Sequence, residues 1–283
     1  DAPMLYYRTD LLEEYGVAVP TTWEELAVAA QTIQDGERAK GNSEFWGYVW
    51  QGNAYEGLTC DALEWIYSEA GSTVISPEGE ITVNDPAVAA AIDRAATWVG
   101  TISPEGVTGY QEEDSRSTWQ TGNAAFMRNW PYAYALSNGE DSAVAGSFGV
   151  SLLPQGAAGL SAATQGGWQL GVSRYAENPE AAAAVAIYFA SPTVQKYRAL
   201  ESYLPTAMSL YSDADLLAAN PFFADLFPVL SNTVTRPSTV TAARYNEVST
   251  AFFTAVHSVL TGEQDGATAM ELLELDLETI LGS

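Results

Sequence analysis

Cysteine and histidine are nearly absent from this chain, which holds one of each, Cys60 and His257. A lone thiol forms no internal disulfide, and one Cys with one His is too small a soft-ligand set for a structural zinc site. Basic residues are scarce as well: eleven Lys and Arg stand against thirty-six Asp and Glu, a formal net charge of −25. That surplus repels phosphate backbones and anionic head groups, so nucleic acid is excluded as a partner. Long apolar runs are also missing. The longest, Ala181 to Ala190, is half the ~20 residues a bilayer span needs and follows a helix-start signal, so no transmembrane segment is expected. The chain opens at Asp1 with neither a basic n-region nor an apolar h-region, and any secretory leader has been removed or lies outside these residues. Gly166-Gly167 lacks the spacing and following lysine of a phosphate loop. No loop has the ligand spacing of a calcium site, and no cofactor is expected.

What is present is a foldable chain of 283 residues, 47% hydrophobic and 11% aromatic with only 17% charged, about two domains on length. Helix starts are marked by Asp85-Pro86, Asn178-Pro179, Ser191-Pro192 and Asn220-Pro221, each a capping oxygen ahead of a proline at the first helical position. Thr22 with Glu25 spells a capping box for a further helix over Trp23 to Gln34. Tyr55, Leu58, Ala62, Trp65 and Ile66 draw an apolar helical stripe ended by Gly71. Two more stripes, Val248 to Val259 and Met270 to Ile280, flank the break at Gly262 to Gly266. Strands are expected at Met4 to Tyr7, Trp46 to Trp50, Ala124 to Trp130, Phe148 to Leu153 and Trp168 to Val172, with a Pro77-Glu78-Gly79 turn between Val74 and Val83. The mixture predicts an α/β fold with helices covering small sheets.

Catalytic chemistry finds little footing. His257, the sole candidate base for a Ser-His-Asp hydrolase, falls off the main apolar face of its helix and reads as a flank residue. Cys60 has no cationic neighbour in sequence to activate it and reads as a small core residue. Glu112, Glu113 and Asp114 form an acidic loop after Tyr110, the best candidate for the paired carboxylates of a glycoside hydrolase; among thirty-six acids, adjacency is cheap.

Aromatics carry more signal. Eight tryptophans and fifteen tyrosines are present, several beside Gly, Asn or Pro. Trp130-Pro131-Tyr132 follows one expected strand and Gly166-Gly167-Trp168 precedes another, which puts both indoles at strand ends, where α/β clefts lie. A flat indole suits the C–H face of a pyranose, and its hydroxyl rim suits Asp, Glu, Asn or Arg. Any one of these tryptophans taken alone could equally fill the core.

These residues resemble the extracellular solute-binding proteins of ABC sugar importers, closest to the trehalose/maltose and gluco-oligosaccharide binders. The likeness runs through Asp1-Ala2-Pro3, Leu5 to Leu12, Pro20 to Leu26, Tyr55 to Cys60, Gly122 to Tyr132 and Gly166-Gly167-Trp168. It implies a periplasmic-binding-protein-like two-lobe fold of class II. Residues 1–146 and 209–283 would form a complete C-terminal lobe, with 1–10 as the crossover, and residues 147–208 part of an N-terminal lobe. It further implies that Asp1 accepts sugar hydroxyls, Tyr55 lines the cleft, Trp130 and Tyr132 form an aromatic wall, the Gly166 and Gly167 amides donate to hydroxyls, and Trp168 stacks. Arg236 would reach the ligand, with Glu56 a weaker candidate. Arg236 could instead pair with a surface acid, and Tyr55 could belong wholly to its helix stripe. The implied protein is a periplasmic or extracellular receptor, lipid-anchored or free. It would capture a glucose-containing di- or oligosaccharide by hinge closure and hand it to a transmembrane permease. Relatives carry further residues at the front of the N-terminal lobe, so an uncovered apolar face is expected here, covered by a second chain or another segment. A glycoside hydrolase and an aromatic docking scaffold for a peptide or protein are the alternative readings.

Overall fold

A computed structural model describes residues 1–282, apart from the side chains of Asp225, Phe227 and Pro228. β1 (Met4–Arg8) leads directly into α1 (Thr9–Tyr15), which stops at Gly16 in the left-handed region, φ +63°. α2 (Trp23–Ala39) begins on the expected capping box: the Thr22 hydroxyl accepts from the Glu25 amide at 3.2 Å, and the Glu25 carboxylate accepts from the Thr22 amide at 3.3 Å. Then come β2 (Trp46–Val49), α3 (Glu56–Ala70), α4 (Pro86–Trp98), α5 (Glu112–Gln120), β3 (Ala124–Asn129), α6 (Tyr132–Ser137) and β4 (Phe148–Ser151). The four strands order as β2-β3-β1-β4, with β1 antiparallel to both neighbours and β2 parallel to β3. This sheet therefore runs through Ser151, past the Gly146 boundary read from sequence.

Those four strands fall within two residues of expectation, but Trp168 to Val172 is not a strand. No core covers that stretch, where Trp168 is 87% and Leu170 62% exposed, and pairing goes instead to β5 (Ala163–Thr164), parallel to β6 (Thr233–Val234). The Pro77-Glu78-Gly79 turn closes a single antiparallel bridge, Ile75 to Ile81.

In the second half lie α7 (Pro179–Phe189), α8 (Pro192–Leu200), α9 (Ala214–Ala219), α10 (Leu226–Ser231), α11 (Ser238–Thr241), α12 (Tyr245–Leu260) and α13 (Gly266–Leu281). Asp85 and Asn178 cap α4 and α7 through their side chains, accepting from Ala87 and Ala181 amides at 2.7 and 3.0 Å. Asn220 does not cap. Its amide nitrogen donates back to the Ala199 and Leu200 carbonyls at 3.0 and 3.1 Å while its oxygen accepts from Ser202 at 2.7 Å, and Pro221 opens only a 3-10 turn.

The apolar stripes of α12 and α13 pack on α3 and α4, burying Val248, Phe252, Val256, Val259, Met270, Leu273 and Leu277. Between this layer and the sheet sits an aromatic cluster of Trp23, Tyr48, Trp50, Trp65 and Trp98, with ring centroids between 5.1 and 6.4 Å apart. Its indoles at Trp23 and Trp50 donate to Ser68 and Ser103 at 2.9 and 3.0 Å. With Trp119, five of the eight tryptophans are thus core residues, and the aromatic surplus of the composition is mostly packing. α7, by contrast, buries none of its residues; Ile187 is 72% exposed. Among the described residues no helix is long and apolar enough to cross a membrane.

Candidate functional site

The acids read from sequence as a loop are the first turn of α5, where the helix dipole favours negative charge. From that turn Glu112 and Glu113 hold three aromatic side chains. Tyr55 OH donates to Glu112 Oε2 at 2.7 Å, Trp130 Nε1 to Glu112 Oε1 at 3.3 Å, and Tyr132 OH to Glu113 Oε1 at 2.6 Å. Tyr55 is not part of the α3 stripe but its extended N-cap, and Gly57 leaves room for its ring: a Cβ there would lie 2.1 Å from the phenol. Burial and the neighbouring Glu112 charge push the Tyr55 hydroxyl pKa upward, and burial with Glu113 does the same at Tyr132, so both remain donors. Arg116 binds Glu113 at 2.9 Å and holds it below the usual carboxylate range, opposite to the raised value a glycosidase acid requires.

On the facing side is the Gly166-Gly167-Trp168 turn. The Gly166 amide donates to the Asp1 carbonyl at 2.8 Å, so it is occupied within the fold, contrary to the expectation that it serves a ligand. Its glycine identity has another cause: a Cβ would lie 2.6 Å from the Trp130 ring. Gly167, at φ +133°, adopts backbone that L side chains rarely reach. Arg236 pairs with Glu56 at 2.6 Å and donates to the Gln165 carbonyl at 3.4 Å, tying the turn to α3; Glu56 also accepts from Tyr245 and Ser249. The acid that Arg236 meets is thus itself a site candidate.

Asp1, Tyr55, Glu56, Trp130, Tyr132, Gly166, Gly167, Trp168 and Arg236 all line one cavity of about 680 Å³, completed by Gly57, Cys60, Glu112, Glu113 and Tyr203. Trp130 and Trp168 share that hollow. Glu112 and Glu113 were visible in sequence only as cheap adjacent acids. Cys60 lies one helical turn beyond Glu56 and could have been found by that spacing; Tyr203 left no signal. Burial raises the Cys60 thiol to about 12, which makes it inert, and His257 lies elsewhere, its ring nitrogen 3.1 Å from the Thr108 carbonyl oxygen. A slightly larger hollow, about 710 Å³ between α12 and α13, has no aromatic lining. No group of three or more His, Cys, Asp or Glu side chains among the described residues is placed to hold a metal.

Beneath the aromatic wall lies a buried ion network. The Arg128 guanidinium meets Glu64 at 2.5 and 3.0 Å, Asp61 at 3.0 Å and Gln51 at 2.8 Å, and sits 4.7 Å from the Trp130 ring centroid. Glu64 further accepts from the Thr164 amide at 3.1 Å, two residues before the glycine turn. Two carboxylates share one cation, and burial raises the pKa of both above ordinary values. An acid whose folded-state pKa is raised stabilises the protein below its unfolded value, here 3.8 for Asp and 4.5 for Glu, and that stability fades as pH rises through the folded value. Asp61→Asn should therefore gain on the wild type as pH rises above that range, by up to about 1.4 kcal/mol per pH unit. Chemical denaturation of both proteins from pH 5 to 8 checks this; a constant offset would refute it.

A profile of the bacterial extracellular solute-binding protein family matches residues 1–196. A probable ABC transporter-binding protein of Deinococcus radiodurans is 52% identical over 284 residues, covering all of this chain and 67% of that protein. Among solved structures, maltose-bound T. maritima MalE3 superposes with a TM-score of 0.91 at 38% identity, over 98% of this chain and 70% of its own. A solute-binding protein of Thermotoga lettingae bound with α-D-tagatose gives 0.84 at 25% identity, over 99% of this chain and 70% of its own.

Proposed function

This chain belongs to the bacterial extracellular solute-binding proteins, the sugar-binding components of ABC importers, and on that premise we propose that its cavity takes a glucose-containing di- or oligosaccharide of the maltose or trehalose type. The carrying observation is the meeting of four aromatic side chains, Tyr55, Trp130, Tyr132 and Trp168, with Asp1 and Glu112 around one cavity of about 680 Å³. Aromatic faces pack on the C–H faces of pyranose rings, while carboxylates accept from ring hydroxyls. Trp168, exposed as it stands, becomes covered when a saccharide and a closing second lobe sit over it. Closure is favoured because the ligand touches both walls only in that state, and the permease subunits then distinguish loaded from empty receptor.

The exposed apolar face of α7 supports a further part of the proposal. Residues 1–146 and 209–283 make the C-terminal lobe together with β4 and β5, which pair with β1 and β6, so only the part of residues 147–208 that carries α7 belongs to the N-terminal lobe, and polypeptide beyond these 283 residues covers α7 there. That polypeptide is a second chain or a longer form of this one. The receptor works on the outer side of the membrane, free or lipid-anchored.

Calorimetry of the full-length receptor against maltose, trehalose, sucrose and glucose tests the reading, and an absence of heat from every sugar would sink it. Trp168→Ala should weaken binding of the preferred sugar about tenfold, from about 1.5 kcal/mol of lost stacking. Its melting temperature should stay put, because the side chain contributes little to the core. A docking scaffold for peptides predicts no saccharide affinity to lose.

A further inference from the structure

The cavity carries a charge imbalance that aromatic stacking does not require. Four carboxylates line it, Asp1, Glu56, Glu112 and Glu113, against one cationic side chain, Arg236; the α-amine of Asp1 is engaged with the Gly166 carbonyl at 3.3 Å. Glu56 is neutralised by Arg236 and Glu113 by Arg116. The other two have no ion-pair partner among the described residues. Among the described residues both oxygens of Glu112 accept only from neutral donors, Tyr55 OH and Trp130 Nε1, and the buried Asp1 Oδ1 atom has no hydrogen-bond partner. Arg128, the nearest buried cation to the wall, is already shared by Asp61 and Glu64. The field of Glu112 is felt around it, since its charge helps raise both Tyr55 and Asp61.

We propose that this cavity selects saccharides by charge: it prefers those bearing a protonated amine over neutral ones and rejects uronic acids and sugar phosphates, with Asp1 and Glu112 as the discriminating residues. The inference rests on reading the cavity as a sugar site. A neutral hydroxyl satisfies an orphaned carboxylate oxygen with an ordinary hydrogen bond, whereas an ammonium adds a charge-assisted one, roughly twice as strong. An anionic substituent would enter a partly desolvated space already holding two carboxylates that no basic side chain neutralises, so repulsion serves as the exclusion device. The net charge of −25 acts in the same direction on encounter.

The test compares three ligands by calorimetry at low salt on the full-length receptor: maltose, maltose with an amine at C6 of its non-reducing ring, and maltose with a carboxylate there. The amine should bind at least fivefold tighter than maltose and the uronate at least fivefold weaker, with both gaps narrowing at 0.5 M salt, in line with screening over about 3–10 Å. In Asp1→Asn/Glu112→Gln the amine-to-uronate ratio should fall toward one, whichever way maltose affinity moves. Equal binding of all three ligands to the wild type overturns the charge proposal and leaves the sugar reading standing. An unchanged ratio in the double variant overturns the assignment to Asp1 and Glu112. Heat from none of the three removes the sugar reading, and this proposal with it.

Discussion

Arg128→Met is expected to lower the free energy of unfolding by about 3–5 kcal/mol, measured by chemical denaturation at pH 7. The loss does not come from a missing attraction alone. Methionine fills much of the arginine's volume but leaves Asp61 and Glu64, each at most 1% exposed, facing one another with no cation. Those acids must then be protonated or hydrated in place, and either outcome costs several kcal/mol. The triple variant Arg128→Met/Asp61→Asn/Glu64→Gln should recover most of the loss, because it removes the stranded charges as well as their partner. If the single and triple variants prove equally unstable, the damage lies in packing and the electrostatic account is wrong. Arg128→Lys should fall between, since an ammonium cannot reproduce the fork that meets Glu64 twice and Gln51 once.

Trp65→Ala should cost about 3–5 kcal/mol, the range for a buried tryptophan truncated to a methyl. Trp65 stands edge-on to Trp50 at 5.1 Å and to Trp98 at 5.8 Å, with interplanar angles of 87° in both pairs. Its removal opens a hollow at the junction of α3, α4 and the sheet, where the neighbouring Trp50 is fixed by its bond to Ser103 and Trp98 is wedged against Trp23 and Tyr48, so neither collapses inward. At about 2–4 °C per kcal/mol for a domain of 150–250 residues, the melting temperature should drop by roughly 10 °C. The contrast with Trp168→Ala, which should leave it in place, separates the core indoles from the cavity ones. Similar drops for both would mean that Trp168 is buried in the working protein even without ligand.

Sequence and structure agree where a signal is local. Thr22 needs only Glu25 three residues on, and Asp85 needs only the amide two residues on, so each cap could be read without knowing the fold. The sequence signal fails where a distant partner competes. Asn220 has the same local context as Asn178, but Ala199, Leu200 and Ser202 capture its amide, and no pattern near position 220 reveals them. Trp168 to Val172 alternates like a strand, but a strand needs a neighbour to bond with, and among the described residues none lies beside it. At the site, the resemblance placed the nine candidate residues, and one cavity gathers them. What it did not give was the division of labour: that Gly166 spends its amide on Asp1, that Arg236 is held by Glu56, and that Glu112 and Glu113 anchor the wall from a helix start.

That anchoring has a mechanical consequence. Tyr55, Trp130 and Tyr132 come from two separate stretches of chain, yet their polar ends converge on two consecutive residues of α5. A tilt of that one helix end would swing all three rings together, so the panel behaves as a hinged plate and not as three independent paddles. Substitutions at Tyr55 and Tyr132 should accordingly fail to sum, since loosening either ring releases the mount that steadies the other.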